Sequence, residues 1–143
     1  MGNIDRADWH YGSASFPREL SPEHGGTHIG MYLAWIIRNG LGSDDLPDSI
    51  GDRLLLLERR VITGRQMLFA ELDEKFFTTL LSDEGKRFTH DYYASNKYLS
   101  DYSELLGGNL TSLYHVADTW ENYDKLTPRL DLRLATWRRT RNA

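Results

Sequence analysis

Thr27-His28-Ile29-Gly30-Met31-Tyr32-Leu33-Ala34-Trp35 is the stretch whose reading decides the fold. Thr27 suits an N-cap, where its hydroxyl would accept a free backbone N–H of the first turn. Ile29, Leu33, Ile36 and Ile37 follow at i, i+4, i+7 and i+8, which is one apolar stripe at helical period. Asn39-Gly40 supplies a stop, with glycine fitted to the left-handed position after a helix. The spacing predicts a helix over 27–39. Inside it, Gly30 costs about 1 kcal/mol relative to alanine. Gly30 and Ala34 lie four apart, so they predict a second backbone packed closely against this face.

Upstream, Gly12, Pro17, Pro22, Gly25 and Gly26 interrupt any period, and residues 1–26 read as an irregular arm. Trp9, Tyr11 and Phe16 would pin that arm across the helical body of residues 27–143, since large aromatics are costly to leave in water. Downstream, Ser49 with Asp52 resembles a capping box before Leu54–Leu57, predicting a helix to about Ile62. Thr63-Gly64 either ends that helix or re-caps a short one through Phe69. Residues 71–81 fit helix or strand equally.

Ser82, Asp83 and Glu84 mark another helix start, with acids at the positive end of the dipole. Phe88, Tyr92, Leu99, Tyr102 and Leu106 carry it to Gly107-Gly108. Residues 109–116 show a short β-like alternation. Asp118 with Glu121 reads as an acidic capping box, and Thr127-Pro128 as a fresh start with proline at N1, followed by Leu130, Leu134 and Trp137. The fold class is mostly α: one helical bundle with a long irregular N-terminal arm and at most a small β element.

With no cysteine among 143 residues, disulfides and thiolate metal sites are excluded. The first residues show no leader pattern, and the apolar run Ile29 to Ile37 is far short of the roughly 20 residues a membrane span needs. A cytoplasmic protein without membrane association is expected. The formal charge is −4. Its distribution is uneven: Arg129, Arg133, Arg138, Arg139 and Arg141 stand against Asp131 alone at the C-terminal end. The acidic remainder disfavours binding nucleic-acid phosphates.

His24 and His28 have metal-like spacing, but Gly25-Gly26 lies between them and no complete ligand set is visible. Neither a nucleophile elbow, a phosphate loop nor a dinucleotide fingerprint occurs, so no cofactor, metal or catalytic residue is expected. His10 and His28, with Tyr32, are the candidate pocket beneath the arm, because histidine titrates near neutrality. Tyr92, Tyr93, Tyr98, Tyr102, Trp120 and Tyr123, interleaved with acids, are the candidate partner surface. A homo-oligomer through that face is a further arrangement the pattern allows.

Trp9-His10-Tyr11-Gly12, Phe16-Pro17, Thr27 to Trp35, Asp91-Tyr92-Tyr93, Tyr114-His115-Val116 and Asp118 to Tyr123 together resemble a family of small bacterial proteins of unknown function. Ser13-Ala14-Ser15 departs from the family pattern, which has a second glycine and an acid there. The resemblance implies a toxin-immunity setting and transfers no catalytic residue. The leading expectation is a non-catalytic protein-binding module that neutralises a cognate toxin. The alternative is a small enzyme or ligand-binding domain using His10 and His28.

Overall fold

A computed structural model describes residues 2–141, apart from the Ser49 side chain. The protein is mostly α: among the described residues, eight α-helices surround a core, with one two-stranded antiparallel sheet. The central element is α2 (Thr27–Arg38), and every residue from Thr27 to Ile36 is buried. A single apolar stripe would seat a surface helix; this helix is enclosed on all sides, which is why Thr27, His28, Tyr32 and Trp35 are interior as well.

The close approach expected at Gly30 is met by α5 (Gly64–Glu71). A Cβ on Gly30 would overlap the backbone of Gly64 and Arg65, and a Cβ on Gly64 would overlap the Gly30 carbonyl. The two glycines let the helix axes touch backbone to backbone. Thr63 re-caps α5 through a reciprocal capping box: its hydroxyl accepts from the Gln66 N–H, and Gln66 Oε1 accepts from the Thr63 N–H. Thr27, in contrast, is not a cap. The 3-10 turn Pro22–Gly26 runs straight into α2, and the Thr27 hydroxyl accepts instead from Arg65 at 3.0 Å.

The arm is more ordered than its glycines and prolines suggest. It carries β1 (Asn3–Arg6), α1 (Ala7–Tyr11) and the 3-10 turn. β1 pairs with β2 (Lys75–Phe77), placing Asp5 opposite Phe76, with a register irregularity between Asn3 and Asp5. A four-residue strand and a five-residue helix are too short to show a period, so their form is decided by partners: β2 for the strand, and the Pro22–Gly26 turn for α1. Asp73 and Glu74, both at positive φ, turn the chain into β2. This resolves the ambiguous 71–81 segment as turn, strand and one 3-10 turn, Thr78–Leu80.

The expected helix to Ile62 is two: α3 (Leu46–Ile50) and α4 (Arg53–Glu58), parted at Gly51 with φ 65°. Ser49 lies within α3 and its side chain is outside the described set, so a capping role there has no structural reading. Of the four leucines only Leu57 is buried. Ser82 does cap α6 (Asp83–Tyr92), accepting from the Gly85 N–H at 3.0 Å. That segment breaks at Asn96 (φ 70°) before α7 (Lys97–Tyr102), which runs into a π turn, Ser103–Gly107. Residues 109–116 hold no strand, only the 3-10 turn Leu113–His115.

The last helix, α8 (Trp120–Arg141), is continuous through Pro128. Pro128 is exposed, so the carbonyl that loses its helical donor lies where water can reach it. Thr119, not Asp118, caps the start, accepting from the Asn122 N–H at 3.1 Å. Three of the α8 arginines are ion-paired: Arg129 and Arg133 grip Asp101, and Arg138 holds Glu84 through two bonds.

Candidate functional site

The tyrosines expected on a partner surface are inside. Tyr92, Tyr93, Tyr98, Tyr102 and Tyr123 are all buried, and Trp120 is half-buried against Tyr123 with Arg60 stacked 4.7 Å from its ring. The acids beside them are partly internal as well: Asp101 accepts from the Tyr92 hydroxyl at 2.6 Å. These rings therefore form the aromatic half of the core and not an exposed face. Phenols with polar tips fit such a core where a tip finds a partner, as those of Tyr92, Tyr93 and Tyr98 do, whereas the Tyr102 hydroxyl is buried with none among the described residues.

One group of polar side chains at the edge of that core converges on a single point. Asp5 projects from β1, His10 from α1 and His28 from the first turn of α2. His10 Nε2 lies 2.8 Å from Asp5 Oδ1, and His28 Nε2 lies 3.2 Å from Asp5 Oδ2. The two imidazoles meet edge to face with centroids 4.5 Å apart. The donor atoms of the three residues all lie within 4.8 Å of one another.

Local sequence explains the meeting. The β1 irregularity falls just before Asp5, where a bulge re-aims a side chain. A Cβ on Gly25 would press on the Ala7 carbonyl at 2.9 Å and on His10 Cβ at 3.2 Å, so glycine there brings α1 against the entry to α2. The Tyr98 hydroxyl donates to the His28 carbonyl at 2.6 Å and fixes that turn.

A surrounding set of partners holds the three groups. Asp5 Oδ1 accepts from the Arg6 N–H at 2.8 Å, and Asp5 Oδ2 from the Tyr93 hydroxyl at 2.6 Å. His10 Nδ1 lies 2.8 Å from the Tyr114 hydroxyl, and Tyr114 packs on Phe16 with centroids 4.9 Å apart. The segment carrying Tyr114 is tied to the arm by His115, whose Nε2 is 2.9 Å from Glu19. His28 is sealed, whereas the His10 side chain retains 19% exposure and Tyr114 is half-exposed. Solvent thus meets the cluster from the His10–Tyr114 side.

The charge state follows from burial and partners. Burial pushes the Asp5 carboxyl up, but the hydrogen bonds and charges of His10 and His28 outweigh it and hold the group well below the usual carboxylate range. Burial lowers the His28 pKa further than Asp5 can raise it, so His28 is neutral near pH 7. Burial and the Asp5 charge both raise the Tyr114 phenol. The centre is an ionised carboxylate with a sealed neutral imidazole on one oxygen and a reachable imidazole on the other. Such a set can orient a histidine for proton transfer, or offer two nitrogens and an oxygen to a metal ion.

Of the candidate pocket residues, His10 and His28 are brought together. Tyr32 is not with them: its hydroxyl is 2.9 Å from Thr89 Oγ1, and its ring lies behind Tyr93. His24 stands apart, bonded to Ser21 at 3.2 Å, so the His24–His28 pair does not form. Sequence reasoning missed Asp5, the residue on which the cluster turns. The only trace of it is a carboxylate five residues before His10, and no periodic element linked the two.

The structure defines a mostly helical domain with a buried carboxylate–bis-histidine centre. The chain belongs to the family described as Domain of unknown function (DUF7832), which matches residues 3–116. No match is found among curated proteins or among solved structures. The matched region contains Asp5, His10, His28, Tyr93 and Tyr114, and stops short of α8. Among the described residues, no helix is long and apolar enough to cross a membrane.

Proposed function

We propose that this protein is a small ligand-binding or catalytic domain whose working centre is Asp5, His10 and His28. The observation that supports this is the convergence of two imidazoles on one buried carboxylate. Gathering three titratable groups costs desolvation that apolar side chains of the same volume would avoid. A fastener for the arm needs one such bond; here a second imidazole and a tyrosine, Tyr93, are aimed at the same carboxylate. The lack of cysteine supports a reducing compartment such as the cytoplasm.

The test follows the five imidazoles by long-range proton–nitrogen NMR while a panel of small anions, carbonyl compounds and divalent ions is added. The expected result is a ligand that moves His10 and His28 and leaves His24, His90 and His115 in place, with the response lost in His10→Ala. A panel that leaves His10 and His28 unmoved at millimolar ligand would refute the reading.

Toxin neutralisation, which the family resemblance implies, has lost its aromatic face. A partner protein would have to use other exposed apolar residues, such as Trp9, Leu55 and Val61. Pull-down with the product of the neighbouring gene tests it, and a toxin left active in cells that express this protein would remove it.

A further inference from the structure

We infer that Asp5, His10 and His28 bind one divalent first-row transition-metal ion, of the zinc or ferrous class, leaving a further coordination position on the Tyr114 side. This rests on the reading that the cluster is the working centre, and it names what the centre holds. Proton transfer alone leaves His28 unexplained. A carboxylate–histidine pair needs one imidazole, yet a second, sealed one points the same nitrogen, Nε2, at the same carboxylate. Three donors aimed at one point from three separate elements are what a metal ion requires.

The distances are compatible with that ion. Metal–ligand bonds of about 2.1 Å at tetrahedral angles place ligand atoms about 3.4 Å apart. The two contacts to Asp5 are 2.8 and 3.2 Å, and no pair of donor atoms exceeds 4.8 Å. Small side-chain adjustments, without movement of β1, α1 or α2, close the set. Two nitrogens and one oxygen select zinc, iron or cobalt over magnesium or calcium, which take oxygen donors. Three protein ligands also leave at least one position for water or substrate, as in catalytic rather than structural sites.

The surrounding partners suit the exchange of a hydrogen bond for a metal bond. When Nε2 of a neutral imidazole coordinates, its proton sits on Nδ1. For His10 that N–H meets the Tyr114 oxygen, which accepts as readily as the hydroxyl donates. Asp5 loses its two histidine donors to the ion, yet keeps the Arg6 N–H on one oxygen and the Tyr93 hydroxyl on the other. Both oxygens of the carboxylate stay satisfied in both states, and Asp5 and His10 have the second layer of hydrogen bonds that fixes orientation.

The test is calorimetric titration of the chelator-treated full chain with Zn2+, with Mg2+ as the control, alongside the imidazole NMR described above. The expected result is one Zn2+ per chain, no Mg2+ uptake, and displacement of the His10 and His28 nitrogen signals only. His10→Ala, at the less buried of the two histidines, should weaken Zn2+ binding at least about 100-fold, and Tyr114→Phe about 10-fold or more, as second-layer losses do. His24→Ala should bind as the parent does. His28→Ala is avoided as the deciding variant because its buried site is coupled to folding. Zn2+ uptake that survives His10→Ala but falls in His24→Ala, or no stoichiometric uptake at all, overturns the metal assignment. If an organic ligand then still moves His10 and His28, the working-centre reading stands without the metal; if nothing moves them, both fall.

Discussion

Replacing Gly30 with alanine should destabilise the protein, although alanine is the better helix former. The gain in helix propensity is about 1 kcal/mol. Against it, the new methyl would lie 2.7 Å from the Gly64 carbonyl carbon, and closer still to the Arg65 backbone. Carbon atoms pack at about 3.5–4.0 Å, so α2 and α5 must part by about 1 Å. Neither obstacle is a side chain that can rotate away. Parting the helices also pulls Arg65 off the Thr27 hydroxyl and off Asp118 at 3.3 Å. Overpacking of this kind costs about 3 kcal/mol or more when backbone must move, which leaves a net loss of about 2 kcal/mol after the propensity gain. With a urea m-value of about 1–2 kcal/mol/M, the midpoint should fall by about 1 M or more. Equilibrium unfolding followed by tryptophan fluorescence and circular dichroism measures it. Gly64→Ala should fail similarly, because its methyl meets the Gly30 carbonyl, and the double variant should lose less than the sum because one separation serves both. Gly2→Ala, with nothing within 4 Å, is the control. A Gly30→Ala protein as stable as the parent would show that the helices do not touch where the argument requires.

Other consequences are equally direct. Asp101 is pushed up by burial, but the bonds from Arg133, Tyr92 and Arg129 prevail and hold its pKa at about 2, against an ordinary 3.8. A depressed carboxylate stabilises the fold above its unfolded pKa and loses that contribution as pH falls through the folded value. Acid unfolding between about pH 4 and pH 2 should therefore show a contribution of about 1–2 kcal/mol, smaller than the full shift because Arg133 is half in water, and it should vanish in Asp101→Asn. Tyr93→Phe removes a buried donor to an ionised acceptor and should cost about 1.5–3 kcal/mol by denaturant titration; a neutral result would remove the Tyr93–Asp5 bond from the argument. Asn96, at φ 70°, should lose about 1 kcal/mol on replacement by alanine and recover most of it as glycine, read as melting temperature.

What the sequence showed depended on how far each signal reaches along the chain. Helical periodicity found α2 and a local cap found the start of α6, while the re-capped α5 is one of the two forms that Thr63-Gly64 allows; Thr63 with Gln66 and Ser82 with Gly85 are contacts within one turn. Gly30 pointed to a close packing before its partner was known. The same local logic misread Asp118 and Thr27, whose polar atoms satisfy distant groups instead of their own helices. It also offered Tyr92, Tyr93 and Tyr98 as surface, since polar tips look like surface until their partners are known: Asp101 for Tyr92, Asp5 for Tyr93, the His28 carbonyl for Tyr98. His10 and His28 could be singled out as residue types. Their convergence could not, because it depends on a strand pairing between residues 3–6 and 75–77.

The division between centre and scaffold bears on what this family can vary. The residues that bond to the cluster (Arg6, Tyr93, Tyr98 and Tyr114) lie within residues 3–116, the span the family shares. α8 lies beyond it, yet it supplies Leu126, Leu130 and Leu134 to the core and the arginines that neutralise Asp101 and Glu84. The Trp35 indole, about two turns along α2 from His28, donates to Asp131 of α8 at 2.9 Å. α2 therefore serves two regions along its length: its first turn belongs to the centre, and its last turns are braced by a helix the family span does not include. Changes in α8 should act on stability through Trp35, Asp101 and Glu84 while leaving Asp5, His10 and His28 in register. Changes at Gly25 or in β1 should do the reverse, displacing the centre from a core that still folds.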